Sequence, residues 1–195
     1  MPAVPAETSS ESLILPDLLA SCAEALAAAE SFGEKARLAA AALVAPGGKG
    51  DARLLEREQF AAHGYAWLAT YVAALREMLH WAERLQEAGQ FGELEQMMLQ
   101  AAYGEYLSQL TGGIALSQVE VLRPADLGIG DEAVAALLVP AAKRLRDANS
   151  SALRMAIAQH LAGGHFGEAG LADEMLEMIR DQFRKVAEDH KEAAH

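Results

Sequence analysis

Strand-building residues are scarce in this chain. Val, Ile and Thr are few, and no stretch of about 4–8 residues alternates convincingly between β-branched and polar positions, which excludes a protein built on a β-sheet. Basic residues are also short: 16 Lys and Arg stand against 28 Asp and Glu, for a net charge of -12. A phosphate-binding surface needs a clustered excess of cations, so nucleic acid is excluded as a partner. Cys22 is the only cysteine. It can form no internal disulfide and no multi-cysteine metal site, which fits a reducing compartment, so cytoplasm is the expected location. No apolar run reaches the roughly 18 residues that a membrane span requires. The start, MPAVPAETSSESLILP, lacks the positive charge that opens a secretion signal. A soluble protein with no membrane partner is the expectation.

What is abundant is helix-forming: Ala, Leu, Glu, Gln, Met and Arg dominate the 195 residues. The chain reads as all-α, a helical bundle of long antiparallel helices with a four-helix-bundle-like core, followed by a C-terminal helix on a Gly-rich linker. Residues 1–14, rich in Pro, Ser, Glu and Thr, read as a disordered lead-in. Residues 15–161 read as the bundle domain, 162–170 as the linker and 171–195 as the last helix.

Within the bundle, Leu15, Leu19, Cys22, Leu26, Ala29, Gly33, Ala36, Ala40 and Leu43 repeat at spacings of four and three, a narrow seam along a first helix. Its thiol belongs in the core. The run Ala45-Pro46-Gly47-Gly48-Lys49-Gly50 breaks that helix, and Asp51 is placed to cap the next, predicted over 51–88. There Leu68, Val72, Leu75, Leu79 and Ala82 lie beside Trp67, Tyr71, Ala74, Met78, Trp81 and Leu85. So wide an apolar face marks a central helix touching several neighbours. A third helix is predicted over 93–110, with Leu94, Met97, Met98 and Ala101 on one stripe and Leu99, Tyr103, Tyr106 and Leu110 on another. About two further helical turns are predicted over 114–122. Asp131 is a candidate cap for a helix over 131–147 that Pro140 kinks or ends, and Asn149-Ser150-Ser151 restarts a helix to about residue 161. In the last helix Ala172, Leu176, Ile179, Phe183 and Val186 share a face.

Residues that could carry chemistry do not converge. Glu77 and His80 form an E-x-x-H pair, the spacing that puts two ligands of a di-metal site on one helix, but no second pair exists. His80 also shares its stripe with Arg76, Glu83 and Glu87, a charged and solvated face. The other histidines, 63, 160, 165, 190 and 195, are scattered, and no H-E-x-x-H is present. No G-x-S-x-G marks a hydrolase, and the glycines of 163–170 lack the G-K-[ST] of a phosphate loop. Neither a catalytic nor a metal-ligating residue is therefore assigned.

One stretch does resemble a known family. Gln109-Leu110-Thr111-Gly112-Gly113, followed by Val121, Arg123 and Asp126, resembles the Q-x-x-G-G…V-x-R-x-x-R-D segment in the C-terminal helical bundle of acyl-CoA dehydrogenases. In addition, Met178-Ile179-Arg180-Asp181-Gln182-Phe183-Arg184-Lys185-Val186-Ala187-Glu188 is similar to the first helix of that family's N-terminal domain. Bundle first and N-terminal helix second is the order of an unusual subgroup in which a helical extension precedes a complete dehydrogenase. The resemblance implies FAD as the cofactor of the whole assembly, contacted through Gln109, Gly112 and Gly113. It also implies a homo-oligomer or an acyl-CoA dehydrogenase domain or subunit as partner.

The departures qualify what carries over. Ala115 stands where the family has a further glycine and Ala125 where it has an arginine. After Asp126 no Glu-Gly pair supplies the family's catalytic base. The expectation is thus a non-catalytic helical assembly or docking domain related to that family, stand-alone or truncated from a larger flavoprotein, that binds no cofactor on its own, with Gly112-Gly113 serving a tight helix crossing. Its alternative is an acyl-CoA dehydrogenase component that binds FAD or acyl-CoA together with a partner subunit, an FAD-dependent oxidoreductase when part of a larger chain.

Overall fold

The computed structural model describes residues 12–170 and 173–190. Among them are eight α-helices and a two-stranded hairpin: α1 Leu18–Val44, α2 Ala52–Arg57, α3 Gln59–Glu87, α4 Glu93–Gly112, β1 Ile114–Ala115, β2 Val121–Leu122, α5 Asp131–Leu137, α6 Pro140–Ala148, α7 Ser151–Ala162 and α8 Glu174–Asp189. The chain is an all-α bundle. Helix α1 packs on α3, α3 on α4, α4 on α6 and α6 back on α1, a closed ring of four helices, with α5 against α1 and α7 against α4.

The helices form where the apolar period is close to 3.6, and the ring closes because each buries its stripe against two others. Cys22, Ala25, Ala29, Phe32 and Ala36 of α1 meet Leu68, Leu75 and Ala82 of α3 and Leu99, Tyr103 and Leu107 of α4, with Leu145 of α6 filling the remaining side. Burial pushes the Cys22 thiol far above its ordinary range, so it is an inert part of the packing. The buried Tyr103 hydroxyl donates to the Leu75 carbonyl at 2.8 Å, which satisfies its one polar atom.

The ends of the helices follow local chemistry. Asp51 caps α2 as expected, its carboxylate accepting from the Arg53 and Leu54 N–H groups at 2.8 and 3.2 Å. The helix predicted over 51–88 divides at Glu58, a shallow break across which the Glu58 N–H still reaches the Leu54 carbonyl. Pro140 ends one helix and begins the next, lying at the first position of α6, where its missing N–H costs nothing. Asp131 is not a cap. Gly130 holds that position and Asp131 is the first residue of α5, where its charge still favours the helix N-terminus.

The largest departure from the sequence pattern is residues 114–122, which form a hairpin instead of helical turns. Ile114 pairs with Leu122 and Ala115 with Val121. The Ser117 hydroxyl accepts from the Val119 and Glu120 N–H groups at 3.3 and 3.2 Å, so the backbone has a partner other than a helical carbonyl. Gly113, at φ +135°, supplies the turn out of α4. The pairing drives Ile114 and Leu122 together into the core.

At the other end, residues 1–11 of the expected lead-in lie outside the described residues, as does Ala172 of the last helix's stripe. Residues 13–15 are fixed to the bundle. Fully buried Gln100 accepts from the Leu15 N–H at 2.9 Å and donates to the Leu13 carbonyl at 2.8 Å.

Candidate functional site

Helix α3 carries His63, Trp67 and Tyr71 at a spacing of four, which stacks them on one face. The Trp67 indole N–H donates to His63 Nε2 at 3.0 Å, and the Trp67 and Tyr71 rings meet edge to face, centroids 6.2 Å apart. Tyr71 then stacks on Tyr106 of α4, with centroids 4.5 Å apart and ring planes 16° from parallel. The ladder ends in hydrogen bonds. The Tyr71 hydroxyl donates to Gln109 Oε1 at 2.9 Å, and Gln109 Nε2 donates to Glu105 Oε1 at 2.8 Å. Partial burial, with Tyr106 and Glu105 nearby, raises the Tyr71 pKa, so its hydroxyl keeps its proton and acts as a donor.

Gln109, Gly112 and Gly113 lie on one end of α4 but in three different situations. Gln109 is held by Tyr71 as described. Gly113 closes the last turn through its N–H on the Gln109 carbonyl at 2.8 Å. Its positive φ is one that L side chains rarely adopt, and an added Cβ would lie 2.7 Å from Val121 Cγ1. Glycine is therefore fixed at 113 by the backbone itself. Gly112 is exposed, and an added Cβ there would meet nothing within 4 Å. Among the described residues no helix crosses at this pair. The close crossing lies one face away, at Gly104, where a Cβ would sit 2.6 Å from the Leu145 carbonyl oxygen and collide with the Asn149 Cβ.

The other residues of the family-like segment serve the loop that follows. The Asp126 carboxylate accepts from the Arg123 N–H at 2.7 Å and locks a short 3-10 turn, Pro124–Leu127, that buries Leu127. Glu77 and His80 lie 3.9 Å apart on the solvated face, both exposed. Among the described residues no group of three or more His, Cys, Asp or Glu is arranged to hold a metal ion, and no helix is long and apolar enough to cross a membrane.

The face from His63 to Gly112 is thus a platform of rings and amides beside a bare stretch of backbone. Its groups stack on and hydrogen-bond to one another. The i, i+4 spacing of His63, Trp67 and Tyr71 carried the signal in the sequence, but Trp67 and Tyr71 read as part of the apolar face and His63 as one of the scattered histidines. Trp67 is in fact 36% exposed.

The chain resembles an acyl-CoA dehydrogenase over part of that protein's length. No family model matches the chain. Over 190 residues, 93% of its length, the chain is 45% identical to (2S)-methylsuccinyl-CoA dehydrogenase from Cereibacter sphaeroides. It spans about a third, 33%, of the length of that relative.

Proposed function

We propose that this chain is a non-catalytic helical assembly domain related to acyl-CoA dehydrogenases, standing alone or joined to a larger flavoprotein. Its faces pack against a second copy or against an acyl-CoA dehydrogenase domain. The observation that carries this reading is a likeness running through 93% of this chain and through only a third of a much longer dehydrogenase. Exposed apolar surface supports it. On α8, Leu176, Ile179, Phe183 and Val186 form a stripe in which Phe183 is 73% exposed, more contiguous apolar surface than one helix ordinarily presents to water. The platform beside Gly112 offers a second face.

Gly112 separates folding from recognition. Gly112→Ala adds a methyl in open space near a helix end, so it is expected to leave the melting temperature unchanged or raise stability by up to about 1 kcal/mol. Gly112→Trp is expected to melt as the wild type does but to weaken association by about tenfold, measured by sedimentation velocity. Wild-type association with Gly112→Trp would remove this face from the interface.

The open space at Gly112 favours one second reading: a component that holds FAD or acyl-CoA along Gln109–Gly113 together with a partner subunit. The bare backbone and the Gln109 amide fit a polar ligand group, and the residues of this chain would bind and orient it. A ligand that binds only the folded state raises the melting temperature. On the assembly reading neither FAD nor acyl-CoA shifts the melting of the chain alone. A concentration-dependent rise with either would favour the second reading.

A further inference from the structure

Residues 163–170, which read as a linker, lie against the bundle. Glu95, in the first turn of α4, is 5% exposed, and its Oε1 accepts from the Glu168 N–H at 2.7 Å. The Glu168 carbonyl in turn accepts from the Trp81 indole N–H of α3 at 3.3 Å. One residue of the segment is thereby held through both its N–H and its C=O by two different helices. The glycines on either side let the backbone come this close. A Cβ at Gly167 would stand 2.9 Å from Glu95 Oε1, and one at Gly170 would stand 2.8 Å from Leu85 Cδ2. Both have positive φ, +74° and +60°. A flexible tether needs neither the buried acceptor nor the close fit.

We propose that Glu95 is a latch that docks this strap onto the bundle and so fixes the place from which the chain sets out toward α8. Helix α8 itself has no buried residue, so little besides the strap holds it. With the latch closed, Arg180 and Arg184 face an open cleft of about 1040 Å³ over Trp81, Met98 and Phe166. By helical periodicity, Leu176, Ile179, Phe183 and Val186 then form the stripe beside the arginines, roughly a quarter-turn round α8. Glu95 is a positioning residue: it holds the strap that precedes α8 through Glu168. That this placement serves assembly rests on the reading above; the latch does not.

The latch is tested on the full chain alone, without any partner. A charge-assisted hydrogen bond to a buried carboxylate is among the stronger ones. Glu95→Ala is therefore expected to raise amide exchange at Glu168, and the rate of Glu-C cleavage after Glu168, by about tenfold. Exchange in the core of α1 and α3 should be unchanged. Gly167→Val attacks the same contact from the strap, without touching the bundle core, and is expected to do the same; it decides the matter if Glu95→Ala does not fold. Glu95→Gln, which keeps an acceptor, should give a smaller rise. Glu168 exchange at the free-peptide rate in the wild type, or unchanged in Gly167→Val, would overturn the proposal.

Discussion

Gly104→Ala is expected to destabilise the fold by about 3 kcal/mol, although alanine is the better helix former by up to about 1 kcal/mol. The opposing term is steric. The new methyl would lie 2.6 Å from the Leu145 carbonyl oxygen and against the Asn149 Cβ, at the crossing of α4 and α6. The first obstacle is backbone and cannot swing aside, so the two helices must separate and release packing around Leu145, which is fully buried. Urea denaturation should show a lower midpoint with an unchanged slope, the mark of lost stability without a change in the surface exposed on unfolding. Wild-type stability for Gly104→Ala would mean that the crossing is looser than described. Paired with Gly112→Ala, the same substitution two turns along the helix, it contrasts a glycine needed for packing with one that packing does not need.

Gln100 should give the second large loss. Its amide joins three segments: it accepts from the Leu15 N–H, donates to the Leu13 carbonyl and reaches the Ala148 carbonyl at 3.4 Å. Gln100→Leu strands these groups at a site only partly open to water, at a cost of about 2 kcal/mol. Gln100→Glu keeps the shape and the acceptor but turns a carboxylate oxygen toward two carbonyls. About 3 kcal/mol is expected at neutral pH, because a buried charge then faces like-signed dipoles. In both variants amide exchange at Leu15 should rise sooner than exchange in α3. An equal rise throughout would show global unfolding instead of release of the N-terminal segment.

These two residues also show what periodicity reveals and what it does not. The stripes of α1 and α3 were legible because burial on a helix recurs every three to four residues: Cys22, Leu26, Ala29 and Ala36 are buried, as are Leu68, Val72, Leu75, Leu79 and Ala82. Pro140 and Asp51 marked helix boundaries through constraints that act on their own backbone. Gly104, Gln100 and Glu95 gave no such sign. Each is chosen by a partner far along the chain, at Asn149, Leu13 or Glu168, and a local pattern contains no information about that pairing. The hairpin at 114–122 was missed for a related reason: its apolar residues suit two turns of helix, and the competing Ser117 contacts and the cross-strand pairing decide the outcome.

The structure brings Gln109, Gly112 and Gly113 to one end of α4 but gives each a different structural situation. Gln109 was legible through the family resemblance, while its partner Tyr71, 38 positions away, was not. Gly112-Gly113 suggested a crossing because paired glycines in a helical context often permit one. The structure divides the pair into a turn-forming residue and an open one. On the assembly reading, that openness is what would let another molecule pack there.

Light scattering of the purified chain, followed from micromolar to submillimolar concentration, puts the assembly reading at most direct risk. The expected result is a mass rising above the 20.7 kDa of one chain to that of a discrete oligomer, with Gly112→Trp shifting the transition to higher concentration. A mass that stays at one chain across the whole range would contradict self-assembly as the role of these faces.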